Sequence, residues 1–283
     1  MLFIGELQRQ RYILFGNLLM GKVKRRTQRT DKPAQPVIFL HGFTGSASDW
    51  NGLINKLPDV FYPVAVDLPG HGKNLYPDKT DYYSTEAVVT GIHETVKKYE
   101  PVKPVLCGYS MGGRAALSFA SKYPEMISAL LLESSTPGII ARHERKERYS
   151  ADINLAGQII DKGITAFVDY WMNIPLFRSQ KLLPRKILTE IRNRTLLNSP
   201  EGLAGSLKGF STGIMPQLWD SPGKITCPVM LVTGGLDEKF CRINTEMAMI
   251  FPNAIHKIVN GAGHNIHLEK PEVFLNLLRG FLT

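Results

Sequence analysis

The 283-residue sequence predicts an α/β protein in which a mostly parallel sheet is flanked by helices. The first observation is a series of short apolar runs, which are typical of strands covered on both faces. The second observation is that helical patterns separate these runs, which favours parallel strands joined by helical crossovers. The predicted strands are residues 36–40, 63–67, 104–108, 129–133, 228–232 and 255–259.

Three helices are predicted from the apolar pattern between and after these runs. They cover residues 85–99, Met111–Lys122 and 271–281. Near the start of the chain, residues 12–21 read YILFGNLLMG and resemble a hairpin with a Gly-Asn turn. We therefore expect antiparallel strands ahead of the parallel sheet.

The alternation of strands and helices breaks between residues 137 and 223. This stretch is helical in pattern, rich in arginine and aromatic residues, and contains no run that resembles a core strand. Because the strand pattern resumes at 228–232, we expect a helical cap inserted after strand 129–133, and not a separate linked domain. The predicted α/β core therefore comprises residues 1–136 and 224–283.

The composition is that of an ordinary globular protein, with 43% apolar and 21% charged residues. No apolar run reaches the roughly 18 residues that span a bilayer, so we expect no membrane insertion. The three cysteines have neither metal-site nor disulfide-framework spacing. The early apolar stretch precedes its basic run, the reverse of a secretory signal. These features favour a cytoplasmic protein.

The formal net charge of +9 is compatible with nucleic acid, an anionic membrane surface or an acidic small substrate as partner. Much of the excess lies in residues 22–32 and 142–148. The first segment is typical of a solvated basic surface. No interleaved aromatic pattern or nucleic-acid-binding module is present. We expect a small anionic substrate and no nucleic acid.

A serine follows the third apolar run in a G-x-S-x-G motif. Residues 108–112 read GYSMG, preceded by the predicted strand 104–108 and followed by the predicted helix Met111–Lys122. This strand, turn and helix context is the one that the motif requires. The glycines allow a sharp turn that projects Ser110 Oγ above the sheet edge. We interpret Ser110 as reactive; the alternative is an inert serine in a glycine-rich turn.

A serine hydroxyl needs a histidine to accept its proton. We predict His264 as this base because it follows the sixth apolar run, at the carboxyl edge of the sheet where sites of open α/β sheets lie. Asp237 follows the fifth run and gives the chain order Ser, Asp, His. Glu238 and Glu133 are alternatives for the acid. His267 is expected to be a helix-entry or packing residue.

Two backbone amides are predicted to stabilise a developing oxyanion. The small-residue loop FLHGFTGSASDW follows the first apolar run and lies beside the serine in this topology. The Phe43 N–H and the Met111 N–H are the predicted donors. The side chain of His41 is expected to have a structural role, as are Asp67 and His71 of the next loop.

An arginine occurs four residues after the serine. Arg114 lies on the same side of the following helix as Ser110, near the positive end of that helix. A cation at this end costs about 0.3 to 1 kcal/mol, which an anionic ligand would offset. From the residues alone, Arg114 is either a surface residue or a ligand-binding group.

The motifs of residues 33–283 resemble the α/β-hydrolase superfamily. Within it, the chain is similar to the 2-succinyl-6-hydroxy-2,4-cyclohexadiene-1-carboxylate synthase family of menaquinone biosynthesis. The resemblance rests on HGFTGS, VDLPGHG, GYSMGGR, TPGI, ERKER, YWMNIPLF, EIRNR, GGLDEKF and GAGHNIH, in this order. It implies a lyase that eliminates pyruvate from 2-succinyl-5-enolpyruvyl-6-hydroxy-3-cyclohexene-1-carboxylate, a substrate with three carboxylates.

The resemblance also implies three carboxylate-binding arginines. By motif they are Arg114, Arg148 in ERKERYSAD and Arg192 in EIRNR. Guanidinium groups suit planar carboxylates because they can donate two parallel hydrogen bonds. Neighbouring arginines leave the cap assignments open by one helical step, with Arg145 as the alternative to Arg148 and Arg194 as the alternative to Arg192.

The same resemblance implies that Trp171 and Tyr109 contact the substrate; packing between cap and core is the alternative role of both. The implied mechanism is proton abstraction by Ser110, deprotonated by His264 with support from Asp237. The two predicted amide donors would stabilise the enolate. No acyl-serine intermediate is required.

We expect neither a metal nor an organic cofactor. Two other function classes remain open. A serine hydrolase acting on a carboxylate-bearing ester or a carbon–carbon bond would use the same triad. A ligand-binding receptor on the same scaffold would not need an intact triad, which the sequence contains. The sequence makes no prediction of oligomeric state.

Overall fold

Six parallel strands form one sheet in the computed structural model, which describes residues 34–76 and 80–282. The strands are β1 Gln35–Leu40, β2 Phe61–Val66, β3 Val105–Tyr109, β4 Ala129–Glu133, β5 Val229–Gly234 and β6 Ala254–Val259. Their order is β2-β1-β3-β4-β5-β6, and every neighbouring pair is parallel. The predicted fold class is confirmed. The hairpin predicted at 12–21 and the basic segment 22–32 lie outside the described residues.

Helices connect the strands and cover both faces of the sheet. The α-helices are α1 Asn51–Ile54, α2 Thr85–Lys97, α3 Met111–Lys122, α4 Arg142–Trp171, α5 Arg185–Leu196, α6 Pro200–Gly209, α7 Glu238–Ile250, α8 Ile266–Glu269 and α9 Pro271–Leu282. Short 3₁₀ helices cover Ala47–Trp50, Thr80–Tyr83, Pro124–Met126, Pro175–Leu182 and Pro222–Lys224. The three predicted helices correspond to α2, α3 and α9.

The apolar runs are continuous because both faces of the strands are buried. In β1, Ile38 and Leu40 pack into the core on the side of α3, whereas Val37 and Phe39 pack on the side of α9. All four side chains are fully buried. Side chains of a strand alternate between its two faces, so a strand covered on both needs apolar residues at every position.

The strand order reverses between β1 and β3. Loops that leave the carboxyl ends of these two strands diverge there and open a crevice, where open α/β sheets bind ligands. The loop after β1 and the turn after β3 both end in this crevice. The topology therefore places the predicted nucleophile at the usual binding position of the fold.

The described chain between β4 and β5 contains helices and no strand. Helix α4 packs on α6 through an apolar cluster of its own, separate from the two clusters that cover the sheet: Ala156, Ile159, Phe167, Val168, Leu203, Ala204 and Leu207. Gly163, with φ 76° and ψ 172°, interrupts α4. The cap boundaries at 137 and 223 stay a prediction, and they bracket this helical segment.

None of the helices in the described part of the chain is long and apolar enough to cross a membrane.

The turn between β3 and α3 tolerates no side chain at Gly112, and this gives a stability prediction. A Cβ at Gly112 would lie 2.1 Å from Leu40 O, so Gly112→Ala must displace backbone. We expect it to lower the free energy of unfolding by about 1 to 3 kcal/mol, as overpacking does.

Gly157 in α4 provides the matched control. A Cβ there meets no atom within 4 Å. Gly157→Ala should be neutral or stabilise by up to about 1 kcal/mol through helix propensity. Urea denaturation monitored by circular dichroism measures both variants. Equal unfolding midpoints for the two variants would contradict the packing argument.

Candidate active site

Three side chains from the ends of β3, β5 and β6 form a hydrogen-bonded row. His264 Nε2 lies 2.9 Å from Ser110 Oγ, and His264 Nδ1 lies 2.6 Å from Asp237 Oδ2. His264 and Asp237 are buried. A carboxylate only accepts hydrogen bonds, so the proton of His264 lies on Nδ1, and Nε2 is left to accept the proton of the Ser110 hydroxyl.

The turn that carries Ser110 has an unusual backbone conformation. Ser110 has φ 50° and ψ −105°, in a region that favours glycine. Its N–H donates to Glu133 O at 2.8 Å, and its carbonyl accepts the Arg114 N–H at 3.0 Å. Backbone strain of this kind persists where the surrounding structure fixes it, and it occurs often at active sites.

The alternatives for the acid lie elsewhere. Glu133 pairs with His267: its carboxylate accepts the His267 N–H at 3.0 Å, and His267 Nδ1 is 2.7 Å from its other oxygen. Glu238 is the exposed first residue of α7. The structure therefore brings Asp237, and neither glutamate, to His264.

The two predicted oxyanion donors line the same cavity as Ser110. Met111 is the first residue of α3, where an N–H has no acceptor within the helix. Neither the Met111 N–H nor the Phe43 N–H has an acceptor among residues 34–76 and 80–282. Both amides are available to donate to a ligand.

Two buried histidines support the loop that carries Phe43. His41 Nε2 accepts the Leu68 N–H at 3.0 Å, and His41 Nδ1 donates to Gly42 O at 2.7 Å. His71 contacts the Phe43 ring edge-on, with centroids 5.6 Å apart. Burial lowers the pKa of His41, and it lowers the pKa of His71 to about 3. Both imidazoles are therefore neutral structural groups.

A cavity of about 710 Å³ opens above Ser110, within the size range of small-molecule sites. Its wall comes from the loops of the sheet and from the helical segment between β4 and β5. Eight of the predicted site residues line it: Phe43, Tyr109, Ser110, Met111, Arg114, Arg148, Trp171 and His264.

Arg114 is a buried cation in the wall of this cavity. Its guanidinium donates to Phe210 O at 2.8 Å and lies 4.6 Å above the Phe210 ring. No carboxylate of the described residues forms an ion pair with it. Burial is the main cause that lowers the pKa of Arg114; the charge of Arg148 also lowers it, whereas Asp152 raises it. An anion in the cavity would relieve this penalty.

Arg148 is held in the wall of the same cavity by a buried carboxylate. Its Nε lies 3.0 and 2.9 Å from the two oxygens of Asp152, which also accepts from Ser211 Oγ at 2.6 Å. The terminal nitrogens of Arg148 have no acceptor in the described part of the chain. They can therefore bind an anion without breaking the contact with Asp152.

The structure does not bring Arg192 to this cavity. Arg192 pairs with Asp169 at 2.9 Å on a partly exposed surface. Arg194 is about 200° further around α5, because each residue of a helix turns by about 100°. It lies 3.3 Å from Asp49 and lines a smaller adjoining cavity of about 70 Å³. The motif spacing in the sequence identified helix α5 correctly, but it could not show which face of α5 packs inward.

Arg145, the alternative to Arg148, donates from Nε to Gly213 O at 3.2 Å and does not line the large cavity.

Four aromatic residues line both cavities and separate one from the other: Phe43, Tyr109, Trp171 and Phe177. Trp171 also contacts the Phe43 ring edge-on, with centroids 5.3 Å apart.

The sequence prediction assigned no role to two cationic residues that line the cavity. Lys239 and Arg242 lie on the first turns of α7, three residues apart, and both line the cavity. The i, i+3 spacing directly after Asp237 is the signal that could have identified Arg242. Together with Arg114 and Arg148, they give the cavity four cations. The carboxylates of its lining are Glu144 and Asp152.

Among residues 34–76 and 80–282, no group of three or more His, Cys, Asp or Glu side chains could hold a metal ion.

Comparison with known proteins supports the fold and the family. Residues 37–277 match the model of the Alpha/beta hydrolase family. A Bacillus subtilis (strain 168) protein, provisionally named 2-succinyl-6-hydroxy-2,4-cyclohexadiene-1-carboxylate synthase, is 45% identical over 250 residues, covering 88% of this chain and 91% of that protein. The synthase of that name from Enterobacter sp. (strain 638) is 30% identical, covering 86% and 90%.

Solved structures of similar proteins have the same fold. The structure of MenH from S. aureus superimposes with a TM-score of 0.87 at 36% identity, and the match covers 92% of this chain and 97% of that one. A thermophilic esterase from Thermogutta terrifontis has a TM-score of 0.78 at 22% identity over 93% and 98% of the two chains, a likeness that concerns the fold alone.

Because His71 is buried as a neutral group, the free energy of unfolding should depend on pH. Its folded-state pKa of about 3 lies below the ordinary value of 6.5. The unfolded chain therefore binds one more proton between these values, and stability falls as the pH decreases through this window. From pH 7 to pH 5, His71 should cost the wild type about 2 kcal/mol of unfolding free energy.

The comparison variant is His71→Asn, whose amide can replace the donor to Pro69 O but does not titrate. Urea unfolding at pH 7 and pH 5 should show a smaller decrease for the variant than for the wild type. If both proteins lose the same free energy over this range, His71 is not buried as a neutral group.

Proposed function

Because this chain belongs to the alpha/beta hydrolase family and is an enzyme related to the 2-succinyl-6-hydroxy-2,4-cyclohexadiene-1-carboxylate synthases, we propose that it forms that product. The reaction eliminates pyruvate from 2-succinyl-5-enolpyruvyl-6-hydroxy-3-cyclohexene-1-carboxylate. The relatives support a role in menaquinone biosynthesis.

One observation carries the proposal: a serine hydroxyl within hydrogen-bond distance of a histidine shares its cavity with three guanidinium groups. Ser110 and the three arginines, Arg114, Arg148 and Arg242, all line the cavity of about 710 Å³. A tricarboxylate substrate requires cations in its site, whereas a neutral ester does not. Arg114 is in addition a buried cation with no ion-pair partner among the described residues, so an anionic ligand stabilises it.

The chemistry that we propose is proton abstraction. His264 accepts the hydroxyl proton of Ser110, and Asp237 stabilises the imidazolium that results. The Ser110 oxygen then removes the ring proton next to the succinyl ketone. The electron pair of the broken C–H bond forms an enolate. When the enolate collapses, the C–O bond to the enolpyruvyl group breaks, and its electron pair leaves with the enolpyruvate oxygen. The departing enolate takes the proton from the His264 imidazolium and tautomerises to pyruvate.

The amides of Phe43 and Met111 stabilise the enolate oxygen in this scheme. Both lack an acceptor in the described part of the chain, so they are preorganised for the charge that develops. One such donor contributes about 2.7 to 4 kcal/mol to transition-state stabilisation. Ser110 acts only as a base, and no covalent intermediate forms.

The cations of the cavity divide the substrate carboxylates between them. Arg114 and Arg148 lie on different elements, α3 and α4, and each binds one carboxylate. Lys239 and Arg242 are the remaining cations of this cavity and are available for the third. Trp171 and Tyr109 contribute aromatic walls around the cyclohexene ring.

A serine hydrolase of a carboxylate-bearing ester would use the same triad. The arginines discriminate between the lyase and a hydrolase of simple esters, because turnover of a simple ester does not depend on carboxylate binding. Loss of pyruvate release with retained ester turnover in an arginine variant therefore favours the lyase.

Pyruvate release from enzymatically generated substrate tests the proposal, with Arg148→Met compared with Arg192→Met. A hydrogen bond to a charged group contributes about 1.5 to 3 kcal/mol, so Arg148→Met should lower kcat/KM about 10- to 150-fold. Arg192→Met removes the same charge outside the cavity and should leave kcat/KM within about twofold of wild type.

Ser110→Ala is the second variant of this experiment. Removal of the base should lower kcat by about 10³-fold or more, since triad residues act as a unit. Wild-type rates in Ser110→Ala, or equal losses in Arg148→Met and Arg192→Met, would refute the proposed site.

A further inference from the structure

A second pair of histidine and carboxylate lies directly behind the triad. Glu133 is the last residue of β4 and is fully buried, and His267 lies in α8, three residues after His264. The side chain of His267 is 7% exposed. Neither residue has a part in the proposed chemistry, although both contact the segments that carry it.

Glu133 connects the two segments whose side chains must meet. Its backbone oxygen accepts the N–H of Ser110 at 2.8 Å. Its carboxylate accepts the backbone N–H of His267 at 3.0 Å, and the same carboxylate is 2.7 Å from His267 Nδ1, which must donate because a carboxylate only accepts. One residue therefore holds both the backbone of the serine and the helix that follows His264.

The position of Glu133 in the sheet explains why it can do this. β4 lies between β3 and β5, and Glu133 is in register with Tyr109 on one side and with Val232 on the other. β3 leads to Ser110, and β5 leads to Asp237. Glu133 is thus at the carboxyl end of the strand between the two strands that carry the serine and the acid.

Two aromatic rings pack against the His267 imidazole. The Trp50 ring stacks on it with centroids 4.2 Å apart and planes at 24°. Tyr109 meets it edge-on at 5.1 Å and lies 5.5 Å from the His264 ring. The pair has little freedom to move, so it can transmit a defined position to the loop of His264.

A packing role alone does not account for a carboxylate at this place. A buried ion or ion pair carries a desolvation cost that apolar side chains of similar size avoid. The pair instead provides directed hydrogen bonds to a helix terminus and a side chain. Within the described residues, Glu133 and His267 make no hydrogen bond to the Ser110 hydroxyl or to the His264 imidazole, so the pair acts on the triad only through the segments that carry it.

We propose that Glu133 and His267 are positioning residues that set the distance between Ser110 Oγ and His264 Nε2. The pair acts on the reactivity of Ser110 and not on the binding of anions. The inference is therefore independent of the reaction that the enzyme catalyses.

The test measures how fast Ser110 reacts with a neutral alkyl fluorophosphonate, by intact-protein mass spectrometry. In this reaction the Ser110 oxygen forms a bond to phosphorus, fluoride leaves, and His264 accepts the hydroxyl proton. His267→Leu removes the donor to Glu133. A displacement of about 1 Å costs about 10²-fold in rate, and we expect a decrease of about this size.

His267→Asn and His267→Gln separate positioning from folding. The amide of asparagine can occupy the place of Nδ1 and donate to Glu133, whereas the longer glutamine amide occupies the place of Nε2 and cannot. We expect the asparagine variant to label at least about tenfold faster than the glutamine variant, even if the leucine variant does not fold. In pyruvate release, kcat should follow the labelling rate while KM changes less than about twofold.

His256→Leu is the matched control, because it also removes the hydrogen bonds of a partly buried imidazole. His256 also hydrogen-bonds a buried side chain of the sheet, Thr233 Oγ1 at 2.8 Å, but it contacts neither Ser110 nor the loop of His264. It should label at the wild-type rate. A folded His267→Leu or His267→Gln variant that labels at the wild-type rate would overturn the proposal. If the wild type releases no pyruvate but the labelling rates differ as described, the lyase proposal fails and the positioning pair stands.

Discussion

The two hydrogen bonds of His264 are the interaction on which the function of this structure depends. They join loops from β3, β5 and β6, so three separate parts of the sequence must reach one point within a few tenths of an ångström. A parallel sheet makes this possible because the carboxyl ends of all its strands lie at the same edge. Without these bonds Ser110 is an ordinary alcohol, and the cavity above it only a basic pocket.

In the proposed function, the charge of that cavity determines which reaction the triad serves. The Thermogutta terrifontis esterase has the same architecture, so the fold alone does not determine the reaction. Here Arg114 is buried at a cost in solvation, and Asp152 leaves the terminal nitrogens of Arg148 available. A site that holds one buried arginine without a carboxylate partner among the described residues, and a second with available terminal nitrogens, is suited to an anionic substrate. Binding of that substrate offsets the cost.

Most of the sheet could be predicted from the sequence, because both faces of a parallel strand leave an unbroken apolar run. The triad was equally accessible, since each member directly follows such a run. The sequence could not show which face of a cap helix points toward the site. Arg192 and Arg194 differ by two positions, and only the packing of α5 decides which one points inward. The pairing of Glu133 with His267 was also inaccessible, because the contact spans 134 positions and no local pattern encodes it.

The most direct test of the central claim, that Ser110 serves as a base and forms no bond to substrate carbon, is rapid-quench mass spectrometry of the intact enzyme during turnover. The account predicts that the enzyme keeps its unmodified mass at every time point while pyruvate accumulates. A stoichiometric acyl adduct on Ser110 that forms and decays at the rate of turnover would contradict it.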